Sequence, residues 1–270
     1  MKGIKECKVL HLIFLFLFCK ICAYEKHIVV VVPSRNNSQW YKKNLDSVLN
    51  QKYSNYQVIY IDDQSTDNNG ILVENYLKNH KNKDKVTLIQ NKIHVGALEN
   101  YYNAIHSLQK EVIVVTSDGD DWLAHQNVLS RINEAYQDPN VWLTYGSYSD
   151  TRSGRCCCRS VTDNIKKKRL FRKNPWVFSH LRTFYAGLFQ KIAKEDLMYE
   201  GKFFEMAWDL AFMFPMLEMA GDRFRFIKEV LYIYNIETSM NDFKIDLKKQ
   251  ELLEHVIRFK RSYAKVDTYL

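Results

Sequence analysis

The chain has 270 residues, 46% of them hydrophobic and 26% charged, a composition that buries a sizeable core and excludes a disordered or collagen-like chain. Four prolines, nine glycines and no fixed-period repeat leave no room for low-complexity linkers or a solenoid. The 39 basic and 31 acidic residues give +8, and nine basic residues against the single acid Asp163 between Arg152 and Lys173 carry all of it.

Lys2, Lys5 and Lys8 precede an apolar run from Val9 to Cys19, which Lys20 ends shortly before the small residue Ala23. The run has the length of a signal-peptide core and is short for a membrane span. Residues 1–25 are therefore expected to be a signal peptide or an N-terminal membrane anchor, placing the protein in the secretory pathway, the periplasm or at a membrane. The alternative is an additional N-terminal helix on a cytoplasmic enzyme.

From His27 the run HIVVVVP reads as a strand buried on both faces and closed by proline. Leu45, Val48 and Leu49 have helical spacing within 41–51, and a second strand over 57–61 ends in Asp62-Asp63. A helix over 70–79, a strand over 86–90, a helix over 97–108 and a strand over 111–116 follow, the last entering Ser117-Asp118-Gly119-Asp120-Asp121. This alternation predicts an α/β fold with an open, Rossmann-like, mainly parallel sheet flanked by helices. Ligands bind beyond the carboxyl ends of such strands, where the polar residues collect.

Past Asp121 the alternation weakens, with a helix over 126–136 and a strand over 142–148. The basic stretch 152–173 reads as a solvated loop or as a contact for phosphates or a membrane surface of anionic head groups. Nucleic acid is not expected as a partner, because no recognition motif accompanies the charge. Cys7, Cys19 and Cys22 lie in the leader, and the consecutive Cys156, Cys157 and Cys158 lack the spacing of a disulfide framework or a zinc site. The apolar stretch 204–220 predicts a buried helix interrupted or kinked at Pro215, with Asp209 an anomalous carboxylate in its middle whose basicity burial would raise.

Asp118, Asp120 and Asp121 place three carboxylates within four residues at a strand end. Hard divalent cations take such oxygens and leave other positions to water and phosphates. An acidic turn capping a following helix is the structural alternative.

The segments VVVVPSRNN, YIDDQSTDN and VVTSDGDDWL, in this order, followed by FFEMAWDLAFMFPMLEMAG, resemble the nucleotide-binding strand, second-strand acidic motif, DxD segment and acceptor-side segment of the family 2 glycosyltransferases of the GT-A fold. The resemblance runs from His27 to Asn241. It implies one domain over 26–270, with a nucleotide-binding half (26–125) and an acceptor half (126–270). It further implies that Pro33, Ser34 and Asn36 line the nucleotide pocket, that Asp62 supports the turn, and that Asp63 hydrogen-bonds the base, usually uracil. Asp118 would lie near the ribose and sugar, Asp120 or Asp121 would hold Mn²⁺ or Mg²⁺, and Asp209 would be the catalytic base, with Glu205 in reserve. The implied reaction is metal-dependent, inverting transfer from a nucleotide-sugar, a UDP-sugar, to a hydroxyl of a glycan, lipid-linked or protein acceptor.

Two positions depart from the family pattern. Tyr102 precedes Asn103 where many members have an arginine, and Tyr234 to Ser239 (YNIETS) lacks a histidine that many members carry beside the substrate. His180, Arg182 and the basic stretch are candidate replacements for the lost positive charge, with a buried structural role the alternative for His180. Nucleotidyl transfer lacks its P-loop or glycine-rich activation loop here. A non-catalytic sugar-nucleotide- or membrane-binding module that keeps the fold is the alternative, and the intact acidic set argues against it.

Overall fold

A computed structural model describes residues 24–154, 158–238 and 242–270. Residues 1–23 of the expected leader, and Arg155, Cys156 and Cys157 of the basic stretch, lie outside these residues. Among the described residues no helix is long and apolar enough to cross a membrane.

The first half follows the alternation read from the sequence. It comprises β1 (Ile28–Ser34), α1 (Tyr41–Leu49), β2 (Tyr56–Asp62), α2 (Asn69–Lys78), β3 (Val86–Gln90), α3 (Ala97–His106) and β4 (Ile113–Thr116). Every residue of β1 is buried, which is why its sequence is a continuous β-branched run rather than an alternating one. Then come β5 (Trp122–Leu123), α4 (Val128–Ala135), β6 (Leu143–Asp150), α5 (Asp163–Lys168), β7 (Thr183–Tyr185), α6 (Ala186–Gln190), β8 (Met198–Tyr199), β9 (Lys202–Phe203), α7 (Trp208–Ala220), β10 (Phe224–Tyr234), α8 (Asp242–Ile245) and α9 (Leu247–Phe259).

Eight strands form one mixed sheet in the order β3-β2-β1-β4-β7-β6-β10-β5, and β8 and β9 form a separate hairpin. β3, β2, β1 and β4 are parallel, as are β6 and β10, whereas β7 runs antiparallel to both β4 and β6. Ser34, Asp62 and Gln90 are in register across β1, β2 and β3, so these strands end on one edge and their loops share one surface.

Two expectations are corrected. The apolar helix begins at Trp208 rather than Phe204, because Ala207 adopts a left-handed conformation (φ 51°) that no helix continues through. Asp209 therefore lies in the first turn of α7, not its middle. The helix continues through Pro215, and eleven of its thirteen residues are buried.

The basic stretch is not one solvated loop. Arg172 is buried and donates from Nε and Nη2 to Glu218 at 2.6 and 3.0 Å and from Nη1 to the Ile257 carbonyl at 2.6 Å. Arg169 donates to the Glu218 carbonyl at 2.7 Å. Two of the nine cations thus tie this segment to α7 and α9, and α5 carries three more, Lys166, Lys167 and Lys168. The sequence reading assigned no element past residue 220, where β10 joins the main sheet and α9 follows.

Candidate active site

Two adjoining clefts open beyond the strand ends. The larger, about 740 Å³, is lined by Pro33, Arg35, Asp63, His94, Asn100 and Phe204, among others. The smaller, about 270 Å³, shares Pro33, Arg35, Ala97 and Trp208 with it and adds the 118–121 loop, His180, Arg182 and Asp209. The ends of β1 and β2, the 118–121 loop and the start of α7 all contribute to this one surface.

The residues expected to line a nucleotide pocket divide into wall and scaffold. Pro33 is on the wall of both clefts and Ser34 on that of the larger. The Ser34 hydroxyl is buried and accepts from Tyr60 Oη at 2.8 Å and Asn37 Nδ2 at 3.2 Å. Asn36, at φ 53°, accepts from the Thr66 amide at 2.8 Å through Oδ1 and so joins the loops after β1 and β2. Asp62 accepts from Asn69 Nδ2 at 2.7 Å and from the Ser65 amide at 3.3 Å.

Asp63 is buried and fully coordinated. Its Oδ1 accepts from Asn91 Nδ2 at 2.8 Å and the Val95 amide at 3.1 Å, and its Oδ2 from the Gly96 amide at 2.8 Å, with His94 Nδ1 also at 2.8 Å. Burial acts to raise its pKa, but the donors from Asn91, Val95 and Gly96 outweigh it and leave the carboxyl below its ordinary value. Asp63 therefore builds the 91–96 loop that walls the larger cleft.

The acidic loop sits tightly on β1. A Cβ at Gly119 would lie 2.3 Å from Ser34 Oγ, so only glycine permits the approach. Asn44 on α1 donates to the carbonyls of Asp118 and Asp121 at 3.0 and 2.8 Å, and the Asp118 amide donates to Tyr232 Oη at 2.9 Å. Partial burial and the Asp118 carboxylate push Asp120 up to about 7. Burial and the carboxylates of Asp120 and Asp118 push Asp121 well above the usual range. Asp121 Oδ1 accepts from the Asn235 amide at 2.7 Å, while its Oδ2 is buried with no hydrogen-bond partner.

Asp118, Asp121 and His180 each bring one ligand atom within 4.8 Å of the other two. The donor set of two carboxylates and an imidazole, with the orphaned Asp121 oxygen, fits a divalent cation. The geometry thus groups Asp118 with Asp121, whereas Asp120 stands outside this trio. Sequence reasoning had placed Asp118 near the sugar and left the choice between Asp120 and Asp121 open.

Asp209 faces Arg182 Nη2 at 2.6 Å, its side chain 18% exposed and that of Arg182 only 3%. Its surroundings are therefore not purely apolar, as the sequence suggested, because a guanidinium stands beside it. Burial opposes the charge on Arg182, but Asp209 and Asp118 hold its pKa above the ordinary value. Glu205 lies apart on the rim of the larger cleft, paired with Lys249, whose hydrogen bond holds it below the usual carboxylate range.

Sequence reasoning missed Arg35, which lines both clefts and has a buried Nε without a partner. Its signal was present, as a cation between two residues already singled out. Gln250 on α9 also lines the smaller cleft, and no local pattern in the sequence marked it.

Residues 29–197 match the model of glycosyl transferase family 2. The chain is 28% identical over 181 residues, 66% of its length, to the poly(ribitol-phosphate) beta-N-acetylglucosaminyltransferase TarP of Staphylococcus aureus, covering 51% of that protein. Half or less of the length of the curated relatives is typically spanned. Among solved structures, S. aureus TarS 1–349 in complex with UDP-GlcNAc superposes with a TM-score of 0.56 at 16% identity, over 77% of this chain and 58% of that one. The mannosyltransferase PcManGT of Pyrobaculum calidifontis, in complex with GDP-Man and Mn²⁺, gives 0.61 at 19% identity, over 89% and 66%. These structures share the fold.

Proposed function

The chain belongs to glycosyltransferase family 2, and on that premise we propose that it transfers a sugar from a UDP-sugar to an acceptor hydroxyl, with inversion and with a divalent cation. The observation that carries this is the convergence in one 270 Å³ cleft of the acidic loop, two arginines and Asp209. Relatives of the same fold bind nucleotide-sugars, UDP-GlcNAc in one and GDP-Man with Mn²⁺ in another.

In this mechanism the nucleoside lies in the larger cleft against Pro33 and the 91–96 loop. Base recognition falls to Asp63 Oδ2, where His94, 44% exposed, is the donor that a base N–H replaces at least cost. The carboxylates of Asp118 and Asp121 would hold Mn²⁺ or Mg²⁺, which when bound compensates the charge of the leaving diphosphate. Arg35 and Arg182 bring unpartnered guanidinium N–H groups to the same cleft and supply the cationic contacts that Tyr102 does not.

Asp209 accepts the acceptor's proton as the hydroxyl oxygen bonds to the anomeric carbon and the bond from that carbon to the diphosphate breaks. Arg182 orients the carboxylate for this. One displacement inverts the anomeric centre. Glu205, held by Lys249 on the rim, is the weaker candidate for the base.

The acceptor is a hydroxyl of a glycan, a lipid-linked sugar or a protein, and the exposed Lys167 and Lys168 of α5 suit a membrane surface. Localisation in the secretory pathway, the periplasm or at a membrane rests on the leader alone. The test is UDP release from a panel of UDP-sugars with Mn²⁺, with Mg²⁺ and with chelator. Release that needs the cation supports the proposal, and equal release in chelator removes the cation from it.

A further inference from the structure

We propose that His180 is a direct nitrogen ligand of the cation, making this a mixed carboxylate–imidazole site that prefers Mn²⁺ to Mg²⁺. The inference rests on the metal-dependent reading above and adds to it a residue from outside the acidic loop.

Three observations carry it. His180 is buried, 7% exposed, and its Nε2 has no hydrogen-bond partner. That nitrogen lies 3.6 Å from Asp118 Oδ2, too far for a hydrogen bond. It is the spacing of two atoms bound to one ion, since ligands about 2.1 Å from a metal lie roughly 3 to 4 Å apart. The third is Asp121, whose Oδ2 is also buried and unpartnered and which brings one carboxylate oxygen within 4.8 Å of the ligand atoms of Asp118 and His180.

The rest of the ring is accounted for, and the accounting leaves Nε2 over. One face stacks on Tyr232, with centroids 4.6 Å apart and planes 2° from parallel, and Tyr148 meets the ring edge-on at 5.7 Å. Nδ1 lies 3.1 Å from Ser179 Oγ. With Nδ1–H donating to that hydroxyl, Nε2 keeps its lone pair directed at the carboxylates, the arrangement that fixes the tautomer of metal-binding histidines. A purely structural histidine needs the stacking but has no use for a buried, unpaired nitrogen beside two acids.

The chemical consequence is selectivity. Mg²⁺ favours an all-oxygen shell, whereas an imidazole nitrogen tilts a site toward first-row transition ions.

The experiment is pulsed EPR on the full chain loaded with Mn²⁺ in the presence of UDP. Modulation from a directly bound ¹⁴N is expected in the wild type, with the ¹⁵N pattern in protein labelled with ¹⁵N-histidine. His180→Ala should abolish it and weaken Mn²⁺ binding by at least about tenfold, the lower bound for losing even a supporting group of a metal ligand. The preference for Mn²⁺ over Mg²⁺ should narrow in the same variant. Should that variant fail to fold, the isotope shift in the wild type decides alone. Bound Mn²⁺ without nitrogen coupling overturns the assignment of His180 and leaves the carboxylate site standing. No bound Mn²⁺ with UDP overturns both this inference and the metal-dependent reading.

Discussion

Arg182, from the segment entering β7, and Asp209, in the first turn of α7, meet at 2.6 Å on the wall of the smaller cleft. The pair joins two elements that are distant in sequence and fixes a carboxylate from outside the acidic loop on the wall of the smaller cleft.

Replacing Asp209 with asparagine keeps the shape and an acceptor for Arg182 but removes the proton acceptor. Turnover should fall by about two to four orders of magnitude with UDP affinity retained. Because Arg182 is buried and loses its counter-charge, the melting temperature should also drop, by an amount equivalent to about 1–3 kcal/mol. Calorimetry alongside turnover checks both, and near-normal turnover per folded molecule would move the base elsewhere.

Asp63→Asn should lower stability and disturb the 91–96 loop as well as weaken nucleotide binding. The folded carboxyl lies below its unfolded value, so its contribution is fully present above the unfolded pKa of about 3.9 and is lost as pH falls through the lower folded value. Denaturant unfolding between pH 7 and 3 should show a shallower acid loss in the variant than in the wild type. Hydrogen exchange at Val95 and Gly96 should accelerate.

The acidic loop has the opposite sign. A carboxyl raised in the fold keeps its proton there and loses it on unfolding. Its cost therefore grows as pH rises from about 3.9 toward the folded value, which is about 7 for Asp120. Asp121→Asn should raise the melting temperature of the cation-free protein at pH 7, yet abolish the stabilisation by Mn²⁺ and the turnover. Thermal melts with and without Mn²⁺ at pH 5 and 7 check this.

Gly119→Ala forces a Cβ against Ser34. It should cost about 1–3 kcal/mol and lower activity by displacing Asp118 and Asp121 from β1, as measured by denaturant unfolding and UDP release. In the basic stretch, Arg172→Ala should cost about 3–5 kcal/mol by stranding the buried Glu218. The exposed Lys167→Ala should change stability by less than about 0.5 kcal/mol.

What was legible in the sequence was whatever is local. Val29 to Val32 read as a strand because burial on both faces demands β-branched residues in succession, and Asp118 to Asp121 stand out as a candidate cation loop because three carboxylates fall within four residues at a strand end. Asp62 and Asp63 were placed correctly at a strand end, but nothing local reveals that Asp63 holds four donors from 91–96. His180 and Arg182 enter the site because the three-residue β7 is inserted antiparallel between β4 and β6, a pairing set by tertiary packing. Arg172 read as one more surface cation because its partner, Glu218, is 46 residues away.

The most direct test of the account is calorimetric titration of UDP into the full chain, once with Mn²⁺ and once with chelator. UDP should bind with Mn²⁺, and its affinity should fall by at least about tenfold, 1.4 kcal/mol, in chelator or in Asp121→Asn. Equal affinity in all three conditions would contradict a cation held by the acidic loop against the donor diphosphate.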